Sequence, residues 1–281
     1  MPQTIDYAVK YNGFVDERFK ESAKSNGVVN QNFDWTGAKT VAVYDISTSA
    51  MNDYARVGAI PSASRYGTIE DLNAIKQEMT LTKDRSFTFV IDKMQADETA
   101  NALNAGTALA RQLREKVIPE IDKYRFDKMA TLAGGSATSV ISKTTIYNDI
   151  LAGTEALDDA EVPVDGRQLI VTPAIFKLMK ESSDIIMETE IGMEARERGV
   201  VAMIDGMEVL KVPSSRFGTA NFGFMIAHPV ATVAPVKLAE YRTHQDPPGV
   251  SGTLVEGRIY YDAFVLNNKA DAIYVHINTT P

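Results

Sequence analysis

Three histidines, His228, His244 and His276, are the side chains here most suited to moving a proton or holding a metal. They lie far apart in strand-like or proline-rich sequence, with no HExxH or comparable ligand spacing, so each reads as a structural or surface histidine. A serine nucleophile would need a GxSxG elbow. The nearest match, GGSAT from Gly134, puts Thr138 where the second glycine belongs, and Ser136 reads as part of a helix stop and loop. The neighbouring Asp158 and Asp159 could act as acid and base or as metal ligands, but a solvated helix end accounts for them with fewer assumptions. No glycine-rich phosphate loop is present, and no catalytic residue, cofactor or metal is expected.

The elements that would position such residues follow from composition and pattern. The chain has 281 residues, 44% of them hydrophobic and 23% charged, which is ordinary for a soluble globular protein with a substantial core. Without cysteine it can form no disulfide, thiol nucleophile or cysteine-based metal site. The net charge of -8 and pI of about 5.0 argue against a protein whose task is to grip nucleic acid. The start MPQTIDYAVKYNGF lacks the charged-then-apolar pattern of a secretory signal, and no apolar run approaches the roughly 18 residues of a membrane span.

From Met79 to Ile91 the residues alternate. Met79, Leu81, Phe87, Phe89 and Ile91 share one face; Thr80, Thr82, Asp84, Ser86 and Thr88 share the other, and Lys83 and Arg85 interrupt the apolar side. The nearby strand partner is Thr40 to Ser47, and a lone two-stranded hairpin is marginal in water. The apolar face is therefore expected to need another surface, on another copy of the chain.

Five regions separate by pattern. Residues 1–36 read as a polar arm with a short amphipathic stretch from Phe14 to Ser25, and residues 37–92 as an extended loop of two strands around a Gly-, Ser- and Asn-bearing tip. Residues 93–135 hold a long helix from Asp97, with Leu109, Leu113, Val117, Ile121 and Tyr124 in one stripe, an interruption at Pro119 and a left-handed cap at Gly134 and Gly135. Unbroken, it would span roughly 55 Å. Residues 136–235 read as an α/β unit: a helix near Tyr147 to Leu157, a strand at Gln168 to Val171, then Thr172 and Pro173 capping a helix, with strands at Glu208 to Val212 and Phe222 to Ala227. Within it, Glu188, Glu190, Glu194 and Glu197 stand against Arg196 and Arg198, as a solvated charged face or a subunit contact. Residues 236–281 return to strands, with Asn267 and Asn268 as a hairpin turn and the long helix as the surface they pack on.

This order resembles the major capsid protein of tailed bacteriophages, the Hong Kong 97-type fold. DRSFTFVIDKMQADETANAL, RQLIVTPAIFKLMKES, GMEVLKVPSSRF, FGFMIAHPVATVAPVKLAEYR and EGRIYYDAFVLNNKADAIYVHIN carry the resemblance, which covers nearly the whole chain. It implies an α+β fold with an N-terminal arm, an extended β-hairpin loop, a spine helix with a peripheral sheet and an α/β axial domain. It also implies a non-enzymatic structural protein that assembles as pentamers and hexamers into an icosahedral shell around double-stranded DNA, made in the bacterial cytoplasm and found in the virion. In such proteins the loop lies over a neighbouring subunit. The interface candidates are then Met79, Leu81, Lys83, Arg85, Phe87 and Phe89, with Glu188, Glu190, Glu194, Arg196 and Arg198. The implied partners are further copies, a portal protein and packaged DNA touched weakly and without sequence specificity. The short arm before residue 37 leads us to expect a separate scaffolding protein.

Lys39, Lys76, Lys83, Asn267 and Asn268 match no cross-linking motif of that family and read as solvated lysines and a turn. The competing readings are an encapsulin-like nanocompartment shell, another β-rich virion protein, and a soluble α/β enzyme.

Overall fold

The alternation between Met79 and Ile91 does not run as one strand. The structure is a computed structural model, and it describes residues 23–30, 33, 35, 39–54, 56, 64–67, 70–94, 105–182 and 200–279. The chain divides into two compact units, Gly37–Thr80 and residues 1–36 with 81–281. In the smaller unit β1 (Thr40–Ile46) pairs antiparallel with β2 (Ala74–Thr80), Thr40 opposite Thr80 and their hydroxyls 2.8 Å apart. The run then breaks at Leu81 and Thr82.

In the larger unit β3 (Lys83–Asp92) pairs not with β1 but with β11 (Gly252–Tyr261), which pairs in turn with β10 (Val236–Gln245). Phe87 and Phe89 pack against a cluster that includes Leu109, Leu113, Ile121, Tyr241, Val255 and Ile259. The face expected to need a second copy is thus covered by its own chain. That partner strand lies far downstream, where local patterning could not reveal it.

Beneath this three-stranded sheet runs the spine: α1 (Ala105–Gln112), a π-helical turn (Leu113–Val117) and α2 (Ile118–Thr131). Leu109, Leu113 and Ile121 of the expected stripe are buried, and Val117 and Tyr124 pack beside them. Residues 95–104, where the helix was expected to begin, lie outside the described residues. Pro119 is accommodated rather than breaking the helix. Its ring would strike the Glu115 carbonyl in a regular α-helix, and the turn before it widens to the π form instead. The left-handed cap expected at Gly134 and Gly135 is absent, since neither has positive φ. Close approach demands Gly134: its N–H donates to the Ala270 carbonyl (2.9 Å), and a Cβ there would meet Asp271 Oδ1 at 2.3 Å.

The α/β unit is a six-stranded sheet in the order β4 (Gly135–Ser139), β13 (Ile273–Asn278), β8 (Phe222–Ala227), β5 (Gln168–Val171), β7 (Met207–Lys211), β6 (Val200–Ile204). One face is covered by α3 (Ile146–Asp159) and α4 (Pro173–Glu181) through Ile150, Leu157, Phe176 and Met179; the other receives Phe126 and Met129 of the spine. Covered on both sides, β8 is buried at all six positions, FGFMIA. Thr172 caps α4 as expected, its Oγ1 accepting the Ile175 N–H at 3.4 Å.

The expected hairpin at Asn267 and Asn268 does not form. A 3-10 turn (Asn267–Ala272) carries the chain from β12 (Phe264–Val265), which pairs with β9 (Thr232–Val233), into the middle of the larger sheet. The closing segment is therefore shared between sheets: β11 lies over the spine, while β13 joins the α/β unit.

Candidate functional site: the root of the hairpin and the seat of the arm

Where the chain re-enters the larger unit after Thr80, a single carboxylate holds it. Asp262, 2% exposed, accepts the N–H and hydroxyl of Thr82 on Oδ2 (2.7 and 2.8 Å) and the Tyr124 hydroxyl and its neighbour Ala263 N–H on Oδ1 (2.7 and 2.8 Å). Tyr260 adds a bond to the Leu81 carbonyl at 2.9 Å. Burial, then the bond to Asp262, push the Tyr124 phenol well above its usual value, so it stays a donor. The strand entering the body is thereby tied to both spine and sheet.

A second buried carboxylate seats the arm. Asp122, fully buried on α2, accepts the N–H of Lys24 (3.1 Å) and the N–H and hydroxyl of Ser25 (3.2 and 2.7 Å), and pairs with Arg216. One turn on, Arg125 donates to Ser25 Oγ (2.9 Å), Asn26 Oδ1 (2.8 Å) and the Ala234 carbonyl (3.4 Å). Burial lowers its pKa to about 10, against the opposing pull of Asp122. The 3-10 turn Lys24–Val28 sits on these groups, and Asn30 continues it by bridging to Val233.

Several residues named from sequence are turned inward. Met79 and Leu81 are fully buried, and Phe87 and Phe89 face their own spine. The two cations that interrupt this face are used within the chain: Lys83 lies 5.0 Å above the Tyr124 ring and Arg85 pairs with Glu120 at 2.7 Å. Glu188, Glu190, Glu194, Arg196 and Arg198 lie outside the described residues. Lys76 pairs with Glu78 at 2.6 Å.

Sequence reasoning missed the apolar display on the hairpin unit. Tyr44, Ile46, Leu72 and Ile75 are exposed there, with Tyr66 at 78% and Met51 at 99%. A signal was available. The run TVAVYDI is apolar at successive positions, hence on both faces, the mark of a strand covered on both sides. The sheet formed by β10, β11 and β3 has a charged opposite face, where Arg258 forks onto Asp84 (2.6 and 2.9 Å) and Arg242 meets Glu240 (3.0 Å) beside a groove of about 500 Å3. Such exposed pairs add little stability.

The one grouping resembling a hydrolytic triad among the described residues has the wrong geometry. Ser139 Oγ and Asp149 Oδ1 both approach His276 Nε2, at 3.1 and 3.9 Å, whereas relay through the ring needs them on opposite nitrogens. His276 is instead stacked on Phe224, centroids 5.0 Å apart. His228 is fixed by the Val230 N–H and the Asp165 carbonyl. Ser136 lies within β4, not on a strand-to-helix elbow, and Asp158 pairs with Arg167 at 2.7 Å. No cluster of metal-ligating side chains occurs among the described residues.

No protein-family model and no curated protein matches the chain by sequence. Solved structures match it by fold. The structure from Mycobacterium phage Che8 superposes with a TM-score of 0.71 at 16% identity, over 91% of this chain and 90% of that one. The mature capsid of bacteriophage PhiM1 gives 0.66 at 11% identity over 94% and 87%, and the capsid of Ralstonia phage GP4 gives 0.63 at 10% over 92% and 89%. At such identities the likeness defines fold, and with its spine helix, peripheral sheet, two-stranded hairpin and α/β unit the chain has the Hong Kong 97-type capsid fold.

Proposed function

We propose that this chain is the major capsid protein of a tailed phage, forming pentamers and hexamers that close an icosahedral shell around double-stranded DNA. The observation that carries the reading is the likeness to phage capsid structures along nine-tenths of both chains. The hairpin unit supports it independently. A two-stranded ribbon displaying Tyr44, Ile46, Leu72 and Ile75 to water is a docking surface, and its occupant is a neighbouring subunit. The interface reading moves accordingly from the apolar side of β3 to the hairpin, and the segment 184–201, with Glu188, Glu190, Glu194, Arg196 and Arg198, forms a second contact. Several moderate contacts per subunit suffice, because a subunit held by one neighbour meets the next at high effective concentration.

The partners are a separate scaffolding protein, a portal protein and packaged DNA, and the site of action is the virion. The acidic balance suits a wall that does not bind its contents. Electron microscopy and light scattering of the purified protein, alone and with a candidate scaffold, test the reading. Rings or shells are expected; compact monomers under every condition of salt, concentration and scaffold would refute it.

A further inference from the structure

Among the described residues the seat of the arm is short of negative charge. Arg125 is 1% exposed and makes no ion pair among the described residues: Asp122 acts on it only through space, and that carboxylate pairs with Arg216. Arg125 Nε has no acceptor among the described residues. A buried cation without its counter-charge is costly, and an anion added within reach of the guanidinium would be stabilised strongly. The group already in that position is the Asn26 side-chain amide, whose Oδ1 accepts from Arg125 at 2.8 Å.

Asn26 is followed by Gly27, one of two Asn–Gly pairs in the sequence, the other being Asn12–Gly13. Glycine leaves its backbone nitrogen unshielded and its dihedrals free, which suits attack of that nitrogen on the preceding side-chain amide. Asn26 is half-buried and Gly27 exposed, so water reaches the site. We propose that Asn26 is a modification site that deamidates, and that the aspartate formed supplies the missing charge and locks residues 24–30 onto the spine.

In the chemistry, the Gly27 nitrogen bonds to Asn26 Cγ, the Cγ–Nδ2 bond breaks, and ammonia leaves with the Gly27 amide proton. Water then opens the cyclic imide. Opening at the backbone carbonyl would give isoaspartate, which lengthens the main chain; opening at the side-chain carbonyl gives the aspartate that faces Arg125. The Arg125 guanidinium polarises the Asn26 carbonyl during attack and pairs with the carboxylate afterwards.

The test uses the full chain held in mildly alkaline buffer, folded or in denaturant, with the tryptic peptide 25–39 analysed by mass spectrometry over time. Conversion of Asn26 to the acid in the folded chain is expected, slowed severalfold by Arg125→Lys. An amide that persists in the folded chain while the denatured chain converts would overturn the proposal. Asn26→Asp, made directly, is expected to raise the melting temperature by a few degrees, with the gain lost in the Arg125→Lys background. A lower melting temperature for Asn26→Asp would equally overturn it.

Discussion

Asp122 and Asp262 are both buried carboxylates, yet each answers to a different set of donors. Among the described residues, Asp122 gathers two backbone N–H groups, a hydroxyl and Arg216, whereas Asp262 gathers neutral donors only. Replacing Asp122 by Asn leaves the buried Arg125 and the half-buried Arg216 without a nearby anion among the described residues, and a loss of about 3–5 kcal/mol in urea unfolding is expected, with hydrogen-exchange protection falling first at residues 24–30. His276 sets a pH dependence. Burial lowers its pKa below the ordinary 6.5, against the opposing pull of Asp149, so the unfolded chain takes up the proton first. This contribution leaves stability unchanged above about pH 6.5 and lowers it as pH falls from there through the depressed value; His276→Phe should flatten that limb of a melting-temperature profile. Neither Asp was legible in the sequence, since their donors come from distant segments. Thr172 was, because its bond closes within one turn.

At the scale of elements, strand β3 shows how a correct pattern can be given the wrong partner. The alternation of Phe87, Phe89 and Ile91 is real, but the surface it meets is built from a helix and two strands that local reading could not bring to it. Phe87→Asp with Phe89→Asp is therefore expected to unfold the larger unit, seen as loss of the cooperative thermal transition; a folded, soluble double variant would restore the reading of this face as a subunit contact. The pairing of β3 with β11 depends on a missing side chain. A Cβ at Gly257 would lie 2.3 Å from the Phe87 ring, so Gly257→Ala should cost about 1–3 kcal/mol in denaturant unfolding, partly recovered by Phe87→Leu. Pro119 was legible as a disturbance but not as a π turn, because sequence fixes the clash and packing selects the way around it.

For the whole molecule, the division into a hairpin unit and a larger unit would, in the proposed assembly, separate association from the folding of the subunit. Replacing residues 40–80 with a short Gly-Ser linker should leave the larger unit folded, with an unchanged far-ultraviolet transition, while particles disappear from electron micrographs. The element order was legible because the hairpin, the spine stripe and the β5–α4 cap each have a local signature. The sheet order was not, because β13 enters between β4 and β8 from the far end of the sequence. That insertion has a consequence for synthesis. Until residue 278 has left the ribosome, β4 and β8 face an empty slot, and the two hydrophobic layers beside it cannot close. A nascent or prematurely terminated chain therefore has no finished larger unit, and in the shell proposed above only polypeptides translated through β13 would be recruited.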